Sequence, residues 1–223
     1  MKQYIDNIKT VNLFSGLKYD EIEAISRITA LKHYPKGYVV FQEGEEGDAL
    51  YIIVDGRVKV SIYDEDGREY ILDIIGKDGF FGELSLIDEL PRSADIITTE
   101  DSTFLVIKRV EFSKLLVDNP VITISILKTL SKRLRAADER IRGFAFLSVE
   151  GRILKYLLDI GKKTGIKIKN YLIIENAPSQ IEIASSCGCS RETVSRMIKN
   201  LVEKGILSFG KRRYTIHLPE TSF

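Results

Sequence analysis

The sequence predicts an α+β chain in three parts: an N-terminal antiparallel β-roll, a long heptad-patterned helix and a C-terminal winged helix-turn-helix. Three patterns carry this reading. Short β-rich runs broken by glycine fill residues 37–108, apolar residues then recur at spacings of 3 and 4, and the last third reads as helix, helix–turn–helix and two strands. At 223 residues, 44% hydrophobic and 29% charged, the chain is long enough for one large or two small globular domains.

LKYDEIEAISRI opens the pattern as a helix with Ile22, Ile25 and Ile28 on one face. VVFQEG, ALYIIVDG, RVKVSIYDEDG, REYILDIIG and TFLVI then read as strands rich in β-branched and aromatic residues. Asp-Gly pairs at Asp55-Gly56, Asp66-Gly67 and Asp78-Gly79 mark turns. So many short strands suggest an antiparallel barrel or roll, placing a first domain at residues 1–118.

After Asn119-Pro120 the period changes. Leu127, Leu130, Leu134, Ala137, Ile141 and Phe144 form a heptad seam flanked by charged residues such as Lys132, Arg133, Arg135, Glu139 and Arg140. The stripe is narrower than a core-facing helix requires, so residues 119–147 read as a dimerisation helix and hinge, paired in parallel with a second copy. Gly143, near its end, permits a bend or a stop.

Residues 148–223 form the third part. GRILKYLLDIGKK is an amphipathic helix, and PSQIEIASSCGCSRETVSRMIKNLVEKGIL gives a helix, a turn at Gly188 and a second helix. Two strands follow around Gly210. Ser190 suits the N-cap of the second helix. At 3.6 residues per turn, Arg191, Glu192, Ser195, Arg196 and Lys199 share an arc of about 140°, while Val194, Ile198 and Leu201 cluster in a separate arc of about 60°. Such a helix can enter a DNA major groove, where arginine reads guanine O6 and N7 and a carboxylate accepts from cytosine N4. Ser179 and Gln180, at the start of the preceding helix, and Lys211, Arg212 and Arg213, in the wing turn, are placed to meet phosphates. Charge agrees. From Val149 onward the chain has 13 basic and 7 acidic residues, a net of +6, which leaves −5 for residues 1–148. A basic C-terminal third behind an acidic body suits a polyanionic partner.

FGELSLIDELPRSA, residues 81–94, carries a second chemistry. Gly82 at a helix start can free backbone N–H groups for an anion, with Leu84 and Ser85 in the same turn. The Glu83 carboxylate can accept two ribose hydroxyl protons. Arg92 can grip two phosphate oxygens, beside Ser93 and Ala94. The set suits a sugar phosphate.

Other chemistries find little support. Cys187 and Cys189 lie two apart, too few for a disulfide framework and half a metal site, and read as small apolar residues, with a thiol redox switch as the alternative. His33 and His217 are isolated, so no metal, haem or iron–sulfur cluster is expected. No nucleophile–base pair or Walker loop points to an enzyme. No apolar run is long enough for a membrane span and MKQYIDNIKT lacks a signal-peptide core, so a cytoplasmic protein is expected.

With these motifs in view, the chain resembles the cyclic-AMP receptor protein/FNR (Crp/Fnr) family of bacterial transcription regulators over nearly its whole length. GCSRETVSR resembles the family's recognition helix, FGELSLIDELPRSA its phosphate-binding cassette, and AFLSVEGRI the junction between dimer helix and DNA-binding domain. The resemblance implies a roll of the cyclic-nucleotide-binding type and a homodimer on two-fold symmetric double-stranded DNA, with RNA polymerase as a further partner. It implies base contacts from Arg191, Glu192 and Arg196, ribose contact by Glu83, phosphate contact by Arg92 and Ser93, and support of Glu83 by Arg133. It makes cyclic AMP the expected effector. One departure bears on the base: where relatives that bind cyclic AMP can carry a Thr-Ser pair, this chain has Ala137 and Asp138. Alanine forms no side-chain hydrogen bond, and ionised aspartate only accepts. A DNA-binding regulator with no nucleotide effector, or a non-nucleotide one, is therefore the alternative. A regulatory nucleotide-binding subunit without DNA binding is a further one.

Overall fold

The computed structural model describes residues 3–14, 17–210 and 213–219. The chain divides into two compact units, residues 1–64 with 71–134, and residues 65–70 with 135–223.

The first unit begins with α1 (Gln3–Thr10), a 3-10 turn (Asn12–Phe14) and α2 (Tyr19–Ile28), which buries Ile22 and Ile25 as its spacing predicts. Eight strands follow: β1 (Thr29–Tyr34), β2 (Val39–Phe41), β3 (Ala49–Asp55), β4 (Arg57–Tyr63), β5 (Glu69–Gly76), β6 (Phe80–Phe81), β7 (Asp95–Thr98) and β8 (Ser102–Lys108). They form two four-stranded sheets, ordered β1-β8-β3-β6 and β2-β7-β4-β5, and every pairing whose register is described is antiparallel. A short helix, α3 (Leu84–Ile87), lies between β6 and β7, and α4 (Arg109–Asp118) leads into α5 (Pro120–Phe146).

Strand β3 shows why this region is hard to read by alternation. Its first five residues are all buried, because both of its faces are covered. Leu50 and Ile52, with Leu105 and Ile107 of β8, pack on Ile8, Ile22, Ile25, Phe112, Ile122 and Ile126 of the helices. Tyr51 and Ile53, with Phe104 and Val106, join Phe41, Val58, Phe81 and Ile96 in a second cluster. Strands β1, β6 and β7 and helices α1 and α4 were not anticipated from the sequence. Turn chemistry was: Gly56 and Gly67 have φ of 92° and 73°.

The second unit contains the last part of α5, then α6 (Val149–Thr164), β9 (Ile166–Ile168), β10 (Tyr171–Ile174), α7 (Gln180–Cys187), α8 (Arg191–Glu203), β11 (Leu207–Gly210) and β12 (Arg213–His217). The strands pair as β11-β12-β10-β9. The β9–β10 hairpin is an addition to the expected two-stranded wing. Ile153, Leu157, Leu172, Ile174, Ile183, Val194, Ile198, Leu201, Tyr214 and Ile216 form one buried core under the helices. Gly143 does not end α5, which runs three residues further. His33 bonds Thr103 Oγ1 at 2.9 Å and His217 bonds Ser208 Oγ at 3.0 Å, so each is a strand residue with a hydroxyl partner.

At the turn between α7 and α8, Gly188 is left-handed, at φ 61°, and a Cβ on it would sit 3.0 Å from the Phe144 ring. We expect Gly188→Val to destabilise the second unit by about 2 kcal/mol, from a β-branched residue forced into that region. Urea unfolding of wild type and variant checks this.

Candidate functional site

The residues of 81–94 converge on a cleft in the first unit. It is lined by Gly82, Glu83, Leu84, Ser85, Arg92, Ser93, Ala94 and Arg133, together with Phe41, Phe81 and neighbouring aliphatic side chains. Gly82 has φ 82° and lies so close to Arg92 that a Cβ would come within 2.7 Å of Nη1. That position therefore needs glycine twice over, for its dihedral and for the approach. The helix it opens, α3, has only four residues.

Arg92 is 4% exposed and heavily committed. Nη1 donates to Gly82 O at 2.7 Å and Ser85 Oγ at 2.8 Å, and Nη2 donates to Ala49 O at 2.9 Å. Its guanidinium lies over the Phe41 ring, Cζ 4.1 Å from the centroid. Asp48, 3.7 Å away and 86% exposed, offsets part of its charge from the solvent side. Arg92 Nε is buried and has no partner.

Glu83 is 1% exposed. Its Oε1 accepts from Arg133 Nη1 at 2.6 Å, while Arg133 Nη2 donates to Phe80 O. The other oxygen, Oε2, is buried and unpartnered. Burial pushes the Glu83 carboxyl above its ordinary 4.5, and the Arg133 charge pulls it part of the way back. Two buried polar atoms in one cleft, a carboxylate acceptor and a guanidinium donor, fit a ligand that offers hydroxyl protons at one end and anionic oxygen at the other. A sugar phosphate offers both. Ser93 is exposed on the rim and Ala94 is buried. Ala137 is half-buried and Asp138 exposed; both belong to the second unit.

The seam residues Leu127, Leu134, Ile141 and Phe144 are 57, 64, 66 and 44% exposed. Leu130 packs partly against the core of the first unit, and Ala137 is half-buried.

In the second unit the wheel read from the sequence is reproduced. Arg191, Glu192, Ser195, Arg196 and Lys199 are exposed, while Val194, Ile198 and Leu201 are buried. Ser190 caps α8, its hydroxyl accepting from Thr193 N–H at 3.2 Å. The Glu192 carboxyl is held below its ordinary value by its own backbone N–H and by Ser190. It is therefore an ionised acceptor at neutral pH. Ser179 caps α7 in a box with Glu182, and Gln180 is half-buried at its first turn. Arg213 is exposed at the start of β12; Lys211 and Arg212 lie outside the described residues. Burial pushes the Cys187 thiol up to about 12 and also raises Cys189, which leaves both protonated and favours the apolar reading over a redox switch.

Two functional candidates escaped the sequence reading. Arg152 of α6 donates to Cys187 O at 3.2 Å and lies 4.8 Å over the Phe144 ring, linking the end of α5 to the turn before α8. Arg109, at the start of α4, bonds Gly47 O at 2.6 Å and Ser85 O at 3.0 Å. An arginine followed by VEF gives no sequence signal for such a role. Among the described residues, no three metal-ligating side chains are grouped, and no helix is long and apolar enough to cross a membrane.

Comparison with known proteins agrees with this layout. Residues 31–119 match the cyclic nucleotide-binding domain family and residues 151–221 the Crp-like helix-turn-helix domain family. A CRP-like cAMP-activated global transcriptional regulator of Mycobacterium tuberculosis is 34% identical over 193 residues, 86% of each chain. The cyclic AMP receptor protein of Thermus thermophilus is 31% identical over 201 residues, 89% of this chain and 88% of that one. Among solved structures, the c-di-GMP responsive global regulator CLP of Xanthomonas campestris superposes with a TM-score of 0.77 at 26% identity, covering 91% of this chain and 100% of that one. With a cyclic nucleotide-binding roll and a Crp-like helix-turn-helix on one chain, and relatives of this identity and coverage, the protein belongs to the Crp/Fnr family of DNA-binding transcription regulators.

Proposed function

We propose that this chain is a cytoplasmic, homodimeric regulator whose affinity for a two-fold symmetric DNA site is set by a cyclic nucleotide, cyclic AMP foremost. The observation that carries this is the pair of buried, unpartnered atoms in the cassette, Glu83 Oε2 and Arg92 Nε. Glu83 would accept ribose hydroxyls, and Arg92 with Ser93 would hold the cyclic phosphate. Arg133 keeps Glu83 oriented from the long helix. The exposed seam of Leu127, Leu134 and Ile141 supports pairing of α5 with a second copy, because a stripe of this kind on a long helix is covered in a parallel coiled coil. Ligand binding can shift the DNA-binding equilibrium only by its differential affinity for the two arrangements of the dimer. Arg191, Glu192 and Arg196 would read base edges, Ser179 and the wing would meet phosphates, and RNA polymerase would receive the bound dimer.

The Ala137-Asp138 pair favours a second reading, in which the effector differs from cyclic AMP in its base or is not a nucleotide. A neighbour of the same fold is described as responsive to c-di-GMP, so the scaffold accommodates more than one signal.

Three outcomes follow. Calorimetric titration of cyclic AMP and cyclic GMP will show Arg92→Ala binding at least about 30-fold more weakly than wild type, the cost of removing one partner from a buried charge-assisted contact. Binding unchanged by that substitution sinks the phosphate assignment. In mobility shifts against a selected two-fold site, Arg191→Ala and Arg196→Ala will each cost about 1–3 kcal/mol and relax base preference at one position per half-site. The third is a pH effect. Because the folded Glu83 pKa is raised, the folded chain holds this proton at pH values where the unfolded chain has lost it. Stability from this group therefore falls as pH rises from about 4.5 to the raised value. Nucleotide affinity runs the opposite way: it is full above the raised pKa, where Glu83 is ionised, and declines as pH falls through it. Titrations from pH 8 downward should show this decline in wild type, and Glu83→Gln should abolish it.

A further inference from the structure

A second guanidinium braces the phosphate cradle from behind its lining residues. Arg109 comes from the first turn of α4, and its backbone N–H bonds Asp48 O at 2.7 Å. Its Nη2 donates to Gly47 O at 2.6 Å and to Ser85 O at 3.0 Å. Those carbonyls flank Arg92. Ser85 Oγ accepts from Arg92 Nη1 at 2.8 Å, and Ala49 O, two residues after Gly47, accepts from Arg92 Nη2 at 2.9 Å. One side chain thus fixes both segments that hold the phosphate-facing arginine, the 47–49 strand entry and helix α3.

Charge makes the arrangement more than a packing device. Among the described residues no carboxylate pairs with Arg109. Glu83 is taken by Arg133, and Asp48 reaches Arg92 only at 3.7 Å from an 86% exposed position. Burial does most to loosen the hold of Arg92 on its proton, the Asp48 and Glu83 charges work against it, and the Arg109 charge adds to it. Two guanidinium groups bonded to the same residue, Ser85, repel, and the half-buried surroundings screen that repulsion poorly. An anion beside Arg92 would relieve it. A neutral ligand would not.

We propose that Arg109 is a positioning residue of the phosphate cradle, which holds Ser85 and the 47–49 segment against Arg92 and adds a positive charge, itself unpaired with any carboxylate among the described residues, that favours a singly charged phosphodiester. The inference rests on the reading of residues 81–94 as the nucleotide site and adds a residue that reading does not use.

The test is calorimetric titration of cyclic AMP into the full-length protein at several salt concentrations, with wild type, Arg109→Lys and Arg109→Gln. Wild-type binding tests the nucleotide reading by itself; if neither cyclic AMP nor cyclic GMP binds, that reading and this inference both fall. Given wild-type binding, Arg109→Gln should weaken affinity about tenfold or more and flatten its dependence on salt. Arg109→Lys keeps the charge but loses the fork, and should lose only about threefold while keeping the wild-type salt slope. If Arg109→Gln binds like wild type, the inference fails while the nucleotide reading stands. It fails equally if both variants weaken binding alike with the wild-type salt slope, since a purely packing role predicts that. Should Arg109→Gln not fold, as judged by its circular dichroism, the Lys variant decides: an unchanged salt slope with a small loss supports the proposal, and a tenfold loss overturns it.

Discussion

The ion pair between Arg133 and Glu83 is the constraint on which the first unit turns. A carboxylate that is 1% exposed would ordinarily shed its charge, and burial does raise its pKa. A guanidinium 2.6 Å away offsets part of that cost. The same guanidinium also bonds Phe80 O, at the strand that leads into the cassette. The long helix is therefore fastened to the Glu83 end of the cleft by one side chain. Losing Arg133 would strand a buried carboxylate, which is far costlier than the pair is stabilising. A ligand that engages Glu83 thus acts on a group already tied to α5.

The cleft has a division of labour. Glu83 is held from the helix side by Arg133, and Arg92 is held from the sheet side by Ala49 O, Gly82 O and Ser85 Oγ. Each keeps one polar atom, Oε2 and Nε, without a partner. Buried polar atoms are rarely left so, and a ligand in the cleft would supply partners to both. The apolar wall of Phe41, Phe81 and Ile96 lowers the local dielectric and strengthens whatever contacts those atoms make.

The second unit solves a different problem: presenting a charged helix face at a defined angle. Val194, Ile198 and Leu201 anchor α8 in the core, Ser190 caps its start and Gly188 makes the turn that sends it off α7. With the apolar face fixed, Arg191, Glu192, Ser195, Arg196 and Lys199 are exposed. The two cysteines of the same turn are protonated packing residues, consistent with a helix junction rather than a redox centre.

Much of this was legible in the sequence because it depends on local rules. Period 3.6 gave α2, α6 and the two faces of α8; Asp-Gly gave the turns; cassette and recognition-helix residues stood at diagnostic spacings. Glu83 and Arg92 stood together in one sequence motif, and the family resemblance implied that Arg133 supports Glu83. What it could not show follows from contacts between distant segments. Strand β1 exists because β8, some seventy residues on, pairs with it, and β3 hides its alternation because both its faces are covered. Which atoms of Glu83 and Arg92 stay unpaired depends on where Phe80, Ala49 and Ser85 place their acceptors and on which donor Arg133 aims at Glu83. Arg109 and Arg152 carry no motif at all; their partners are backbone carbonyls, and a carbonyl has no sequence identity until the fold puts it in place. The residue types of the site were thus fixed by the sequence, and their remaining hydrogen-bonding capacity was decided by tertiary structure, because that capacity is what is left after long-range contacts have taken their share.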